Sequence, residues 1–214
     1  MELSSSSKKP FKKDYEHLVM VELETTVELF SQYGDDGKVL LSSELERILH
    51  KNLNDGFILD AHIAQNEEQR LIMWERREAA AEISLLKTPL INNDIAVPLD
   101  QVSKFLTVME KKLPELDPDA DVLIVSHLGD GNVHYTVWPS KDDEKHKDKI
   151  MEAIETVVLT LGGSFSAEHG IGLSKLSSME RRKNRVSLDV MRQIKNAIDP
   201  EDIMNPGKVL PKVN

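Results

Sequence analysis

The chain has 214 residues, 40% hydrophobic and 30% charged, with 27 basic against 37 acidic side chains and a net charge of −10. That length supports one good-sized core or two small ones, and so acidic a chain repels nucleic acid and anionic lipid where no local basic patch intervenes. The absence of cysteine excludes disulfides, thiolate zinc sites, iron–sulfur clusters and a cysteine nucleophile, and fits a reducing, cytoplasmic setting.

Residues 1–14 read as a flexible leader, with a serine run, four lysines and no apolar stretch of the kind a signal peptide carries. No apolar run approaches the roughly 18 residues of a membrane span. A first strand is expected over His17–Leu23. Ser42 and Ser43, followed by Glu44 and Glu46, mark a helix start with Leu45, Ile48 and Leu49 as its apolar stripe. Asn54-Asp55-Gly56 is a turn, Phe57–Ala64 a second strand, and Glu67–Leu86 a long helix ended before Pro89. Asp94–Val97 reads as a short strand and Val102–Leu113 as an amphipathic helix. Asp121–Ser126 and Asn132–Val137 are strands, Asp143–Leu161 is a helix closed by Gly162-Gly163, and Ser164–Glu168 is a strand. Ser187–Ala197 is the last helix, stopped at Asp199-Pro200. The order predicts an α+β fold, with antiparallel sheets covered on one face by helices in a ferredoxin-like sandwich and further helices at the C-terminus.

The segment Ser126-His127-Leu128-Gly129-Asp130-Gly131-Asn132-Val133-His134 carries the most chemistry. Asp-Gly between two strands signals a tight hairpin. With Asp130 and Gly131 at the turn, His127 faces His134 and Leu128 faces Val133. Opposed residues have Cβ atoms about 5 Å apart, which suits two imidazoles on one metal. Ile124, Leu128, Val133, Tyr135 and Val137 would form an apolar face, and His127, Asn132, His134 and Thr136 a polar one. A plain hairpin with two surface histidines fits the same pattern.

Downstream, Ser166-Ala167-Glu168-His169-Gly170-Ile171-Gly172 puts a carboxylate and an imidazole where a strand runs into glycines. Glu168 would complete a site of two histidines and one carboxylate with open positions for substrate oxygens. His169 would then serve as a base. Adjacent strand residues point to opposite faces, so both residues serve one site only if the backbone bends there. Gly170-x-Gly172-x-x-Lys175 lacks the third glycine of a dinucleotide fingerprint.

Together these segments resemble the C-terminal domain of FAD-linked oxidases, the family of D-lactate, D-2-hydroxyglutarate and glycolate dehydrogenase subunits. The matching motifs are His127-x-Gly129-Asp130-Gly131-Asn132-x-His134, Glu168-His169-Gly170-x-Gly172, and Asp199-Pro200 through Asn205-Pro206-Gly207-Lys208. Trp74-x-x-Arg77-Glu78 and Asp94-x-x-Val97-Pro98 also look like family positions. The resemblance implies that residues 15–214 form a substrate- and metal-binding domain whose partner, an FAD-binding domain, is not in this chain. The chain alone would then be colourless and inactive.

The resemblance further implies a divalent metal, zinc or manganese, on His127, His134 and Glu168. It makes His169 the catalytic base and places Arg77 on a substrate carboxylate. Thr136 and Lys208 would contact substrate, and Asn205 the flavin. The reaction implied is oxidation of a 2-hydroxyacid: the hydroxyl loses its proton to His169 and a hydride passes to FAD. Ala81 and Asn92 stand where hydroxyglutarate-specific members are expected to carry threonine and lysine, and Thr136 where they carry asparagine. The loss of the first two favours a monocarboxylate such as D-lactate. A homodimer is compatible with this reading.

Three other classes meet the residues less well. A two-histidine, one-carboxylate iron oxygenase belongs in a jelly roll, against the helix-rich pattern here. A zinc hydrolase of the His-Glu-x-x-His type lacks its helix motif. A metal-binding or interaction domain without catalysis describes the isolated chain.

Overall fold

The computed structural model describes residues 10–35 and 37–212, which fall into two compact units, Met1–Ala81 and Glu82–Asn214. Of the expected leader, residues 1–9 lie outside the described residues; Phe11 meets Tyr15 edge-on, ring centroids 5.3 Å apart.

The first unit is built on helices α1 (Glu28–Ser31), α2 (Leu40–Asn54) and most of α3 (Glu67–Ser84). The strands expected at His17–Leu23 and Phe57–Ala64 do not form. A β pattern supplies apolar side chains, but a strand also needs a neighbouring backbone to pair with. Here side chains hold the first segment instead. Glu22 accepts hydrogen bonds from Arg70 (2.8 Å) and Trp74 Nε1 (3.1 Å) on α3, and Tyr15 donates to Asp60 at 3.1 Å. Helix α2 begins two residues before Ser42, and its N-cap, Val39, makes no side-chain cap bond. It closes at the expected turn, where Gly56 takes φ +75°, a left-handed conformation glycine adopts without steric cost.

The second unit runs β1 (Ile91–Ala96), α4 (Val102–Leu116), β2 (Asp121–His127), β3 (Asn132–Trp138) and α5 (Glu144–Thr160). The three strands are antiparallel in the order β1-β3-β2. Ser164, after α5, bridges Ala96 on the open edge of β1. The path strand–helix–strand–strand–helix–strand, with the last segment beside the first strand, is the ferredoxin-like arrangement. The expected Ser164–Glu168 strand is thus reduced to a single bridge. Helices α6 (Leu176–Arg182) and α7 (Arg185–Ile198) follow; the periodicity did not announce α6. No helix among the described residues is long and apolar enough to cross a membrane.

Side-chain alternation sorts the sheet. Ile91, Ile95, Val133, Tyr135 and Val137 turn to one side and pack against Phe105, Met109 and Leu113 of α4 and Ile150, Ile154 and Val158 of α5. Tyr135 and Phe105 meet edge-on at 5.6 Å. Each such fully buried side chain contributes roughly 1.5–3 kcal/mol. Ile124 and Leu128, expected on this face, are 40% and 47% exposed. Leu128 lies in the hairpin connection, and β2 is the outer strand of the sheet. Helix α5 starts at the expected Asp143, whose side chain accepts from the His146 N–H.

The hairpin register differs from the expected one. His127 pairs with Asn132 and Val125 with His134, so the connection spans Leu128–Gly131 rather than Asp130-Gly131 alone. A two-residue type I′ turn needs positive φ at both central residues; here Gly131 has φ +75° and Asp130 does not share it. Asp130 instead accepts the Asn132 N–H on its side chain at 3.0 Å. Gly131 is required for a second reason: a Cβ there would lie 2.0 Å from the Val97 carbonyl oxygen.

Candidate active site

The shift of two residues preserves the face of every side chain, because sheet alternation has period two. His127, Asn132, His134 and Thr136 therefore still share the polar face, with Asn92 and Asp94 of β1 beside them. His127 and His134 are diagonal neighbours, ring centroids 5.7 Å apart. Beyond the Ser164 bridge the chain folds back across this face. It brings Glu168 Oε1 to 2.9 Å from His134 Nε2, 4.0 Å from His127 Nε2 and 3.6 Å from His169 Nε2. The His134 and His169 rings are 5.4 Å apart. Both Glu168 and His169 thus reach one site, which the sequence pattern allowed only with a bend.

The group that the sequence did not assign to the site is Asp94, buried on β1. Its carboxylate accepts from the backbone N–H groups of His169 (2.9 Å), Glu168 (3.1 Å) and Ala167 (3.3 Å) and from Lys175 Nζ (3.0 Å). Asn132 Nδ2 donates to its other oxygen at 3.1 Å. Burial works against ionising Asp94, but the His169 N–H and Lys175 outweigh it and bring the carboxyl to about 2. Asp94 belongs to a motif the resemblance singled out, and a polar residue on a mostly buried strand was a usable signal.

Burial also pushes the His134 imidazole below its usual value, ahead of the opposing pull of Glu168. A neutral ring keeps a lone pair for a ligand. Two donors on one cation at bond lengths near 2.1 Å stand about 3–4 Å apart, and Glu168 Oε1 lies at such distances from His134 Nε2 and His127 Nε2. Asn132 Oδ1 adds an orphan, a buried acceptor with no hydrogen-bond partner. Among the described residues, the set whose ligand atoms all lie within 4.8 Å of one another is Asp94, His134, Glu168 and His169, without His127. That grouping is weaker for Asp94. Its Oδ2 already takes four donors and its Oδ1 the Asn132 amide, and a lysine ammonium beside it repels a second cation.

The other expected residues lie as follows. Thr136 is buried next to His134's strand neighbours, its hydroxyl 3.5 Å from Asn92 Oδ1. Asn205 and Lys208 are exposed and share a turn, the Lys208 N–H donating to the Asn205 carbonyl, with Asn205 at φ 50°. Arg77 is on α3 in the first unit, its guanidinium 3.7 Å from Glu78.

A family model described as "FAD linked oxidases, C-terminal domain" matches residues 7–209. The chain belongs to this family. It is 31% identical over 207 residues to a D-2-hydroxyglutarate dehydrogenase of Stutzerimonas stutzeri, covering 94% of this chain and 42% of that protein. It is 31% identical over 163 residues to the glycolate oxidase subunit GlcD of Bacillus subtilis, covering 73% and 34%. It is 29% identical over 161 residues to a mitochondrial D-lactate dehydrogenase [cytochrome] of Arabidopsis thaliana, covering 71% and 28%. The chain therefore spans less than half the length of each of these relatives. As a member of the family it is an FAD-linked oxidase C-terminal domain, and the histidine–glutamate cluster lies within the matched residues.

Proposed function

We propose that this chain is the substrate- and metal-binding part of an FAD-dependent dehydrogenase acting on D-2-hydroxyacids. The carrying observation is the position of Glu168 Oε1, within 4.0 Å of the imidazoles of His127, His134 and His169. His127, His134 and Glu168 would hold a divalent cation, zinc or manganese. Such a cation would supply Lewis acidity toward a substrate hydroxyl, and an FAD would supply the hydride acceptor. His169, with an exposed ring next to Glu168, takes the hydroxyl proton. Arg77 binds the substrate carboxylate, Thr136 and Lys208 line the substrate, and Asn205 faces the flavin. The flavin is held mainly by a separate FAD-binding domain.

For the substrate, a monocarboxylate such as D-lactate is the reading the polar face supports. Asn92 offers an amide, not a cation, and its oxygen faces the Thr136 hydroxyl. Lys175 is engaged by Asp94 and Ser166; Lys87 is engaged by Asp121 and sits 5.1 Å over the Trp138 ring. Neither supplies the missing charge in this arrangement. The side chain of Ala81 lies outside the described residues. The names of five relatives, the Stutzerimonas stutzeri protein among them, favour the second reading, D-2-hydroxyglutarate. The lack of cysteine favours a cytoplasmic location, whereas five relatives are named mitochondrial.

Elemental analysis of the wild-type chain beside His127→Ala and His134→Ala tests the site. We expect one divalent metal per chain in the wild type and its loss from both variants. Equal metal in all three would overturn the proposal.

A further inference from the structure

Between Ser164 and Ala167 the edge pairing on β1 slips by one residue. Ala96 and Ser164 exchange both backbone hydrogen bonds, 3.0 and 2.8 Å. In a regular antiparallel ladder the next N–H to reach β1, at the Asp94 carbonyl, would be that of Ser166. The N–H found there belongs to Ala167, at 3.1 Å. One extra residue in an edge pairing is a bulge, and bulges re-aim the side chains that follow.

The Asp94 carboxylate sits at that slip and collects the N–H groups of Ala167, Glu168 and His169 in succession. Three consecutive N–H groups converge on one anion only when the backbone curls; in an extended strand successive N–H groups point to opposite edges. Lys175 closes the curl from its far end, donating to Asp94 at 3.0 Å and to Ser166 Oγ at 2.9 Å, while Ser166 Oγ donates to the Gly170 carbonyl.

From this we infer that Asp94 is the positioning residue of the site: its carboxylate curls residues 167–169 so that the neighbouring side chains of Glu168 and His169 reach the same face as His134. Asp94 is not itself a ligand. Its oxygens are filled from behind by backbone N–H groups, Lys175 and the Asn132 amide, and the last of these bonds fixes the Asn132 side chain on the polar face. This inference rests on the proposed function only where it speaks of a metal; the curl is a property of the chain itself.

The test uses Asp94→Asn in the intact protein, where an amide of equal size puts a donor among donors. Two readouts separate the role from general stability. Hydrogen exchange of a peptide covering 165–170 should speed up at least tenfold, while a peptide covering β3 keeps its wild-type rate. Mn²⁺ affinity, titrated calorimetrically with the metal alone, should fall about 10–100-fold, the usual loss when a partner behind a ligand is removed. Lys175→Met, which leaves all three backbone bonds to Asp94, should keep Mn²⁺ affinity within about threefold of wild type, well short of that loss.

Wild-type exchange over 165–170 in Asp94→Asn overturns the inference, as does wild-type Mn²⁺ affinity in that variant. If the wild-type protein takes up no Mn²⁺, the functional proposal fails and the exchange experiment decides the role of Asp94. Should Asp94→Asn not fold, the amides of Glu168 and His169 in the unmutated protein decide it: protection from exchange supports the curl, and exchange at the rate of open loop overturns it.

Discussion

At the scale of single residues, substrate choice turns on what a second carboxylate would meet. One carboxylate has Arg77 and the cation site as its proposed partners. A second finds a neutral amide at Asn92, which faces the Thr136 hydroxyl, and nearby lysines committed to Asp94, Ser166 and Asp121. A charge-assisted hydrogen bond contributes roughly 1.5–3 kcal/mol, and 1.36 kcal/mol is a factor of ten in rate. The complete enzyme containing this domain is therefore expected to prefer D-lactate over D-2-hydroxyglutarate by about 10–100-fold in kcat/KM, measured with an artificial electron acceptor. A tenfold preference for hydroxyglutarate would show that another cation serves that end of the substrate. Asn92→Lys should narrow the gap in favour of hydroxyglutarate by restoring the charge.

Among the elements, the junction of α4 with α5 is held by one buried carboxylate. Asp117 caps the end of α4 and accepts from His146 Nε2 and the Ser140 N–H, each at 2.8 Å. Burial opposes ionisation there, yet the hydrogen bonds from His146 and Ser140 outweigh it and hold the carboxyl at about 2. An unfolded aspartate titrates near 3.9, so the folded value is the lower one. The stabilisation is then complete above pH ~4 and lost as pH falls toward ~2. Asp94 has the same sign and adds acid sensitivity over the same window. Thermal melts of wild type and Asp117→Asn between pH 7 and 2.5 read this directly. The wild type should be more stable by a constant margin down to about pH 4, and the margin should close below it. A margin unchanged across the whole range would mean that the Asp117 charge does not matter.

On the scale of the whole molecule, every buried hydrophobic residue among the described residues lies between Ile91 and Leu188, within the second unit. Among the described residues of the first unit, none of α1 or α2 is buried, and Leu18, Val19, Val21, Phe57 and Leu59 are exposed. Buried apolar area is the main source of cooperative stability. A fragment of residues 82–214 is expected to melt in a single cooperative transition by circular dichroism, and a fragment of residues 1–81 to show none. Loss of the transition from 82–214 would mean that the first unit contributes to that core.

How much of this was legible beforehand depends on where each residue's partners lie in the chain. Helix α5, its Asp143 cap, the β2–β3 hairpin and the polar face with His127 and His134 follow from neighbours a few residues apart, so local pattern was enough. The ferredoxin-like order followed from the sequence of elements. The hairpin register did not, because Asp130 satisfies the Asn132 N–H with its side chain and lengthens the connection. The strands expected at His17–Leu23 and Phe57–Ala64 were apolar enough for a strand, but pairing is decided by a second backbone that no local pattern names. The curl at Glu168 and His169 was visible only as a requirement. What meets it, Asp94, is 73 to 75 residues away from the N–H groups it binds. The sequence by itself determined which side chains of β2 and β3 share a face, since within a strand that depends on period alone; only the tertiary structure decided which backbones meet and where the chain curls, since that depends on contacts between distant segments.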